Sequence, residues 1–378
     1  MNINVFTFIL FMFISLLVAF LLFLAQKRQN EWFVKDKKVN YYYIFIVILL
    51  TIFAFGRRID EGIGGADMIN YIYHFQSQDL AFWYSKGEWL FCFINQIIGS
   101  FTTDYRIYFL FVYLFIAISF ILFIKSYSQQ NQSYIPFITF FYLYLLSFNT
   151  LRSSCAVAMF LLGLVAFKNH KILASILIIS SVFIHRISII LVLIIPFYYF
   201  YKQFLKDLPN YKLALFIIIG IIMIGLLVYS CKDLLQSSNL LSDGDKEYID
   251  ETETRTIMNV INMCLTNLML FIPFILLDPW VKATKEYDLI KCFCIFSFIL
   301  ILPATILGVW RINEYLYIPR LIMWGVLLNT YEDKYLFNKN SKIIFKFFVF
   351  LAFTVYTAYR LYRAGDTTGF MIYEWGLF

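Results

Sequence analysis

The sequence predicts an all-α, polytopic integral membrane protein. Of its 378 residues, 61% are hydrophobic and only 15% are charged, and the mean hydropathy is +0.75. Soluble globular domains are about 45–50% apolar and about 25% charged, so the composition excludes that class. Apolar runs long enough to cross a bilayer recur between short polar breaks. We therefore expect residues 1–378 to form a single integral membrane domain.

About twelve apolar runs are candidate membrane helices, and several of them are short. They cover residues 3–25, 41–56, 107–124, 134–148, 153–167, 172–184, 187–201, 213–230, 257–277, 289–310, 315–331 and 343–359. A further stretch, 89–101, is too short to span and predicts a re-entrant or interfacial helix. The first run lacks a basic leader and a small-residue cleavage site, which predicts a retained span and not a signal peptide.

Metal and nucleic acid are not predicted as ligands. The six cysteines fall mostly inside apolar runs without C-x-x-C spacing, which favours small apolar fillers over a zinc site or a disulfide framework. The net charge of +7 is not concentrated in basic segments with stacking aromatics outside the spans. We expect no cofactor, no metal and no nucleic-acid partner.

The lysines predict the orientation of the chain. The break after the first run is rich in lysine, so we expect it to be cytoplasmic and the N-terminus to be outside. Every second loop is then cytoplasmic, and these loops hold Lys125, Lys168, Lys171, Lys202, Lys206, Lys212, Lys282, Lys285, Lys291, Lys334, Lys339, Lys342 and Lys346. Both termini, a long loop at 57–106 and an acidic loop at 231–256 are therefore expected outside.

The arginines are distributed differently from the lysines. In this topology ten of the eleven arginines are outside, but only three of the twenty lysines. A guanidinium fork suits bidentate recognition of phosphate or carboxylate, whereas lysine acts as a compact charge. The outer face is therefore predicted to bind an anion. Alternatively, some of these arginines are interfacial anchors beside Tyr and Trp, with Arg57, Arg106 and Arg360 as candidates.

Residues 149–185 predict a hairpin of two apolar helices, 153–167 and 172–184, joined by a four-residue turn. Antiparallel helices joined in this way place their far ends on the same membrane face. An arm of about 15 residues rises about 23 Å, less than the hydrocarbon core of about 30 Å. Arg152 and His185 should then lie below the surface, where an ionisable residue indicates a functional site. The alternative is that both snorkel to the interface.

The long outer loop contains a polar helical pattern. Asp67, Asn70, Tyr71 and His74 fall at i, i+3, i+4 and i+7, so they share one helix face, with apolar residues on the other. We expect a helix that lies on or dips into the membrane with this polar stripe turned inward.

Glycines and a second carboxylate flank this helix. The Gly64-Gly65 pair could form a tight turn or allow close backbone approach to a ligand, but it lacks the lysine and spacing of a P-loop. Glu88 adds a second carboxylate to Asp67. For either acid the alternative is the capping of a helix N-terminus.

Two later segments add candidates. The loop at 231–256 holds seven acids against three bases, which is typical of a solvated loop, or of a mobile cover over the site. Arg311 lies in a short outer turn, and Arg320 follows Pro319 one turn into the next span. A guanidinium inside a span needs an anionic partner or a wet cavity.

In order along the chain, these motifs resemble the EpsG-like branch of the Wzy polysaccharide polymerases. The resemblance rests on Gly-Gly-Ala-Asp67 with Tyr71 and Tyr73, Lys-Gly-Glu88, Leu-Arg152-Ser-Ser-Cys-Ala at the start of a span, and Phe-Ile-His185-Arg-Ile-Ser at the end of the next. It covers about residues 50–200 and, less specifically, the region of Arg311 and Arg320. The chain departs from the family pattern at Ser153, where Gln is frequent, and in lacking proline after Glu88.

The resemblance implies a metal-independent glycosyltransferase of the bacterial inner membrane, similar to the GT-C type, that acts on the extracytoplasmic face. Its donor would be the growing glycan on undecaprenyl pyrophosphate, and its acceptor another lipid-linked oligosaccharide repeat. The products would be O-antigen, capsule or exopolysaccharide. Besides membrane lipids, the resemblance allows a chain-length regulator and a flippase as protein partners.

The candidate site residues fit that chemistry. Without a metal, arginines must hold the pyrophosphate, and the candidates are Arg152, Arg186, Arg311 and Arg320. A general base must take the acceptor proton, and the candidates are His185, Asp67 and Glu88. Either Asp67 orients His185, or Asp67 is itself the base and His185 contacts the pyrophosphate. Asn70, Tyr71 and His74 are candidate substrate contacts.

Two other classes of protein fit parts of this pattern. A flippase or transporter of lipid-linked oligosaccharide needs the anion site but no base; the absence of an internal repeat in the sequence does not support an inverted-repeat transporter. An O-antigen ligase or a membrane acyltransferase would act on the same face with a different acceptor.

Overall fold

The structure is a computed structural model that describes most of the chain. The described residues are 4–31, 40–60, 63–65, 67–129, 132–230, 271, 274–282, 284–306, 314–365 and 373–374. Within these ranges the chain forms helices and turns, with no strand beyond an isolated β-bridge between Asp60 and Ile63. The predicted all-α class is confirmed for this part of the molecule.

The helices divide between two compact units, Met1–Ile189 with Leu336–Phe378, and Ile190–Tyr335. In chain order they are α1 (Val5–Glu31), α2 (Tyr41–Phe55), α3 (Met68–Ser77), α4 (Ala81–Ser85), α5 (Trp89–Gly99), α6 (Tyr105–Tyr127), α7 (Phe140–Leu145), α8 (Leu151–Phe167), α9 (Lys171–Ile184), α10 (Ile189–Val192), α11 (Ile194–Phe200), α12 (Asn210–Ser230), α13 (Lys285–Ile306), α14 (Glu314–Tyr335) and α15 (Lys339–Gly365). A single membrane domain over 1–378 stays a prediction.

The helices have the lengths of a membrane protein. Five described helices are long and apolar enough to cross a bilayer, namely Val5–Lys27, Tyr105–Tyr127, Arg186–Leu205, Asn210–Leu227 and Lys339–Arg363. Other predicted spans are shorter: α2, α8 and α9 have 15, 17 and 14 residues, against about 20 for a full crossing. The run at 134–148 is a short α-helix between two 3₁₀ turns. The count of about twelve spans stays a prediction.

The core of the first unit is aromatic, and buried tyrosine hydroxyls in it form hydrogen bonds to backbone carbonyls of other segments. Tyr113 donates to the Ser147 carbonyl at 3.0 Å, and Tyr144 donates to the Leu50 carbonyl at 3.0 Å. Both tyrosines are fully buried. A buried hydroxyl in a membrane has no water to bond, so these contacts fix the distances between helices as well as filling space.

Arg57 connects the end of α2 to the glycine turn that follows it. Its side chain donates to the carbonyls of Gly64 (2.8 Å) and Ala54 and to the Tyr113 hydroxyl (2.7 Å), and it stacks on the Phe148 ring at 4.0 Å. Only 2% of the residue is exposed. The alternative that Arg57 is an interfacial anchor is therefore wrong, because its guanidinium satisfies buried carbonyls that water cannot reach.

Arg106 and Arg360 are the other two candidate anchors. Arg106, partly exposed, lies 6.0 Å from the Tyr105 ring centroid. Arg360 donates to the Tyr142 hydroxyl at 2.9 Å. Both arginines lie beside tyrosine, as the anchor interpretation requires.

The glycine turn packs against the chain that leads into α8. Gly64 and Gly65 have φ of +77° and +124°, and a Cβ on Gly65 would overlap the carbonyl oxygen of Phe148. Next to it, the Asp67 N–H donates to the Asn149 side chain at 3.0 Å. The predicted close backbone approach is thus made to the protein's own chain.

Helix α3 buries Met68, Tyr71 and Phe75, which recur at i, i+3 and i+7, and it exposes Asn70. Of the predicted inward polar stripe, only Tyr71 is buried; Asp67 and His74 are partly exposed, and the prediction is wrong for Asn70. A tyrosine ring buries well beside apolar neighbours, whereas an amide must replace every hydrogen bond that it had in water.

The predicted hairpin is present as α8 and α9, which pack closely along their length. Gly163 makes the close approach possible, because a Cβ there would lie 2.6 Å from Ile178 Cγ1 and 3.2 Å from the Ala174 carbonyl oxygen. Small residues at such crossings let helix backbones approach in membranes.

The described part of the second unit contains a buried ion pair between two of its predicted cytoplasmic residues. Lys291 lies 2.6 Å from Asp278, which also accepts a hydrogen bond from Tyr287 at 2.7 Å. The predicted outer loop 231–256 and Arg311 lie outside the described residues. Arg320, which follows Pro319 inside α14, is buried and donates to Ser297 at 3.1 Å.

Candidate active site

Glu88 is the centre of a buried polar cluster in the first unit, and the end of α4 positions it. The Gly87 N–H donates to the Tyr84 carbonyl and the Glu88 N–H to the Trp83 carbonyl, at 3.0 and 3.1 Å. These two bonds form a Schellman motif, which requires a left-handed residue at Gly87, where φ is +76°. The motif ends α4 and places Glu88 at the start of α5.

Arg152 forms an ion pair with Glu88 from the first turn of α8. Its Nε also donates to the Tyr71 hydroxyl at 3.3 Å, and its guanidinium lies 5.5 Å from the Trp83 ring centroid. Tyr71 and Trp83 stack on each other with centroids 5.8 Å apart. The guanidinium is thus held by one carboxylate, one hydroxyl and two aromatic faces.

His185 contacts the other oxygen of the same carboxylate. Its Nδ1 lies 2.8 Å from Glu88 Oε1, whereas Arg152 binds Oε2. His185 ends α9, and its backbone is extended, at φ −148° and ψ 115°. The hairpin therefore brings its two far ends together on one carboxylate.

Arg186 contributes its backbone to the cluster. Its N–H lies 3.4 Å from Glu88 Oε1, which is a weak hydrogen bond. The side chain is half-buried, and no described residue forms a hydrogen bond or an ion pair with its guanidinium. A cation in this state, one residue from the buried cluster, is available to an anionic ligand.

Glu88 remains ionised in this setting. Burial raises the pKa of its carboxyl, but the hydrogen bond from His185 and the charge of Arg152 together outweigh burial, and the pKa lies below its ordinary value. An ionised Glu88 accepts a hydrogen bond from Nδ1, so a neutral His185 carries its proton there and its lone pair on Nε2.

Among the described residues, the Asp67 side chain forms no hydrogen bond or ion pair with Glu88, Arg152 or His185. This side chain is partly exposed and makes no capping bond to α3, and in the described part of the chain Glu88, not Asp67, accepts the hydrogen bond from His185 Nδ1. Glu88 likewise makes no side-chain capping bond to α5. The capping alternative therefore holds for neither acid, and the carboxylate that contacts His185 Nδ1 is that of Glu88.

The candidate substrate contacts have different environments. Tyr71 is buried against Arg152, and Asn70 is exposed. His74 packs on Trp83, with ring centroids 4.7 Å apart, and its Nδ1 lies 2.7 Å from the Asp79 carbonyl oxygen. Among the described residues no group of three or more His, Cys, Asp or Glu side chains could hold a metal ion.

Trp83 and Gly87 belong to the site but were not predicted from the sequence. Trp83 lies five residues before Glu88 in an aromatic segment. Tryptophans are common at membrane interfaces, so nothing in the sequence indicated that Trp83 contacts Arg152. The glycine of Lys-Gly-Glu88 was a usable signal, since a glycine directly after a short helix predicts a left-handed cap.

The helices and this buried group of a carboxylate, an imidazole and a guanidinium define a helical membrane protein with a site suited to acid–base chemistry beside an anion. The chain belongs to the EpsG family, whose model matches residues 41–375, and this is a family of Wzy-like polysaccharide polymerases. No curated protein and no solved structure matches the chain. Family membership implies a membrane protein with a glycosyltransferase-like polymerase function.

Proposed function

We propose that the protein polymerises undecaprenyl-pyrophosphate-linked oligosaccharide repeats on the extracytoplasmic face of a bacterial inner membrane. The growing glycan would be transferred from its lipid carrier to a hydroxyl of a new lipid-linked repeat. The observation that carries the proposal is the Glu88–His185 pair beside Arg152, because a group transfer needs both a proton acceptor and a cation for the departing diphosphate.

In the proposed reaction the acceptor oxygen attacks the anomeric carbon of the donor sugar. Its proton passes to Nε2 of His185, which Glu88 orients through Nδ1. The bond between the anomeric carbon and the diphosphate oxygen breaks, and the lipid diphosphate leaves with the electron pair. The glycan gains one repeat unit, and the proton that His185 received is later released to water.

Charge supports the anion half of the reaction. Glu88 contributes one negative charge, and Arg152 and Arg186 each contribute one positive charge, so the group is positive even with a neutral imidazole. We propose Arg152 and Arg186 as ligands of the diphosphate. Arg311 and Arg320 stay candidates for the same role, and Asn70, Tyr71 and His74 for contacts to the sugar.

Reconstitution in liposomes tests the proposal. The full-length protein receives a lipid-linked repeat, and the products are separated by glycan length. A ladder of two or more repeats supports a polymerase, whereas movement of single repeats across the bilayer without lengthening would mean a flippase, which needs no base.

His185→Gln is the diagnostic variant, and His170→Gln is its matched control. His185→Gln should lower the rate of lengthening by about 10²–10⁴-fold, the contribution typical of a general base. His170 is exposed in the turn at the other end of the hairpin, so His170→Gln should lengthen glycans at the wild-type rate. Asp67→Asn distinguishes Asp67 from His185 as the base: a loss as large as that of His185→Gln would make Asp67 the base.

A further inference from the structure

An apolar groove opens between the start of α5 and the last turns of α9. It has a volume of about 340 Å³ and is lined by Trp89, Leu90, Phe93, Ser180 and Phe183. Two of these lining residues, Trp89 and Phe183, stack on each other with ring centroids 5.7 Å apart. These two side chains are 58% and 37% exposed, so the groove is open and not part of the packed core.

The groove and the polar cluster share two chain segments, the start of α5 and the end of α9. Trp89 directly follows Glu88, and Phe183 lies two residues before His185. From Phe183 an exposed apolar stripe continues along α9 through Ile179 and Ile176 to Ile172, a rise of about 17 Å at 1.5 Å per residue. A ligand that reaches from the cluster into the groove can therefore continue along α9 into the bilayer.

An amphiphile with an anionic head fits this arrangement. The cluster supplies cations, and the groove supplies only apolar and aromatic side chains and one serine hydroxyl. We propose that the α5–α9 groove binds the part of the lipid carrier's hydrocarbon tail nearest the diphosphate. This inference rests on the proposed function, and it assigns the lipid-binding part of the same site.

The size of the groove suits a segment of a long tail. A volume near 340 Å³ is at the lower end of the range of small-molecule clefts, about 300–1,000 Å³. The remainder of the tail would then follow the stripe on α9. A tail in the bilayer is already out of water, so its move into the groove gains little hydrophobic free energy. The groove instead contributes dispersion contacts and fixes the orientation of the tail. Its role is to orient the diphosphate toward Arg152 and Arg186.

Photocrosslinking tests the groove directly. The full-length protein in liposomes is exposed to a sugar diphosphate lipid with a photoreactive group on the tail, close to the diphosphate. Crosslinks are then mapped by mass spectrometry. We expect them at 89–93 and 180–183. Crosslinks spread over lipid-facing helices such as α15, without enrichment at these positions, would overturn the proposal.

Ser180→Trp fills the groove and adds a kinetic test. We expect it to lower the crosslink yield at 89–93 about tenfold and to remove the preference of the enzyme for long-tailed over short-tailed substrates in kcat/KM. The matched control is Met223→Trp, at an exposed position of α12, which should change neither quantity. Equal losses with long-tailed and short-tailed substrates in Ser180→Trp would contradict a tail site.

The two proposals fail separately. If the wild-type protein lengthens glycans but the probe labels other helices, the groove is wrong and the polymerase stands. If the probe labels the groove but no lengthening occurs, the protein binds the lipid carrier in the groove and the polymerase is wrong.

Discussion

Glu88 is a buried carboxylate that meets three donors, namely the side chains of Arg152 and His185 and the backbone N–H of Arg186. Burying a charge costs several kcal/mol unless partners and hydrogen bonds replace the water that it loses. Glu88 is only 1% exposed, so removing any one partner leaves a charge that the surroundings no longer balance. The effects of substitutions at Glu88, Arg152 and His185 should therefore be non-additive.

Arg152→Lys should lose most activity although it keeps the charge. An ammonium cannot reach Glu88, Tyr71 and a diphosphate with the geometry of a guanidinium fork. Losing one or two hydrogen bonds to charged groups, at about 1.5–3 kcal/mol each, corresponds to a loss of about tenfold or more. The measurement is the initial rate of glycan lengthening in liposomes.

Arg106→Lys is the matched control for that substitution. Arg106 is partly exposed at the start of α6 and lies beside Tyr105, so lysine should preserve the rate. Full activity of Arg152→Lys would contradict a role for Arg152 in holding the diphosphate.

The lowered pKa of Glu88 predicts how stability depends on pH. A carboxylate whose pKa is lower in the folded state stabilises the fold above its ordinary pKa, here 4.5, and loses that contribution as the pH falls below it. Thermal unfolding in detergent at pH 7 should thus be at higher temperature for the wild type than for Glu88→Gln. The difference should shrink below pH 4.5, and a constant difference down to pH 3 would contradict an ionised Glu88.

At the scale of elements, two glycines with positive φ act in different ways. Gly65 needs both its backbone conformation and the absence of a side chain, because a Cβ would overlap the Phe148 carbonyl; at Gly87 no atom lies within 4 Å of an added Cβ. Gly65 therefore allows the glycine turn to pack against the chain at Phe148, whereas Gly87 only ends α4.

Gly65→Ala should consequently abolish activity and lower the yield of folded protein, because the turn would move away from the entry to α8. Gly87→Ala should cost only about 1–2 kcal/mol for the left-handed conformation and keep measurable activity. Thermal unfolding and the lengthening rate of both variants check this. The interpretation fails if Gly65→Ala is as stable as the wild type.

The α8–α9 hairpin offers a second comparison between glycines. In Gly163→Ala the new methyl group must push Ile178 and the Ala174 carbonyl of α9 away from α8. Overpacking of this kind costs about 1–3 kcal/mol. Gly220→Ala in α12 meets Ile299 at ordinary contact distances of 3.5–3.6 Å, and alanine favours a helix by up to about 1 kcal/mol. We expect a lower unfolding temperature for Gly163→Ala and an unchanged or higher one for Gly220→Ala.

At the scale of the whole molecule, the lysine and arginine distributions predict which face carries the site. Thr103→Cys precedes α6 in the predicted outer loop, and Asn169→Cys lies in the turn between α8 and α9; both positions are exposed. An impermeant thiol reagent added to intact cells should label the first and not the second.

The background for this labelling is favourable. Among the described residues Cys92, Cys155, Cys292 and Cys294 are buried, and the labelling is done with Cys231 and Cys264 replaced by serine. Labelling of Asn169→Cys from outside would reverse the predicted orientation and place the site on the cytoplasmic face.

The membrane class, the hairpin and the positions of Arg152 and His185 at its far ends could be read from the sequence. Each depends on local properties, namely the lengths of apolar runs and charges at their ends. The inward polar stripe on α3 was wrong for Asn70, because the periodic pattern shows which residues share a face but not whether the buried neighbours can satisfy an amide.

Local patterns in the chain are enough to predict a helical membrane protein in which a cation and an imidazole end the same hairpin. Which acid these two residues share is visible only in the folded molecule. Glu88 is 64 residues from Arg152 and 97 from His185 along the chain, so their contact depends on how the outer loop folds back. The outer loop is held in this position by the close approach of Gly65 to Phe148 and by the buried guanidinium of Arg57. Both contacts join residues that no local sequence pattern relates.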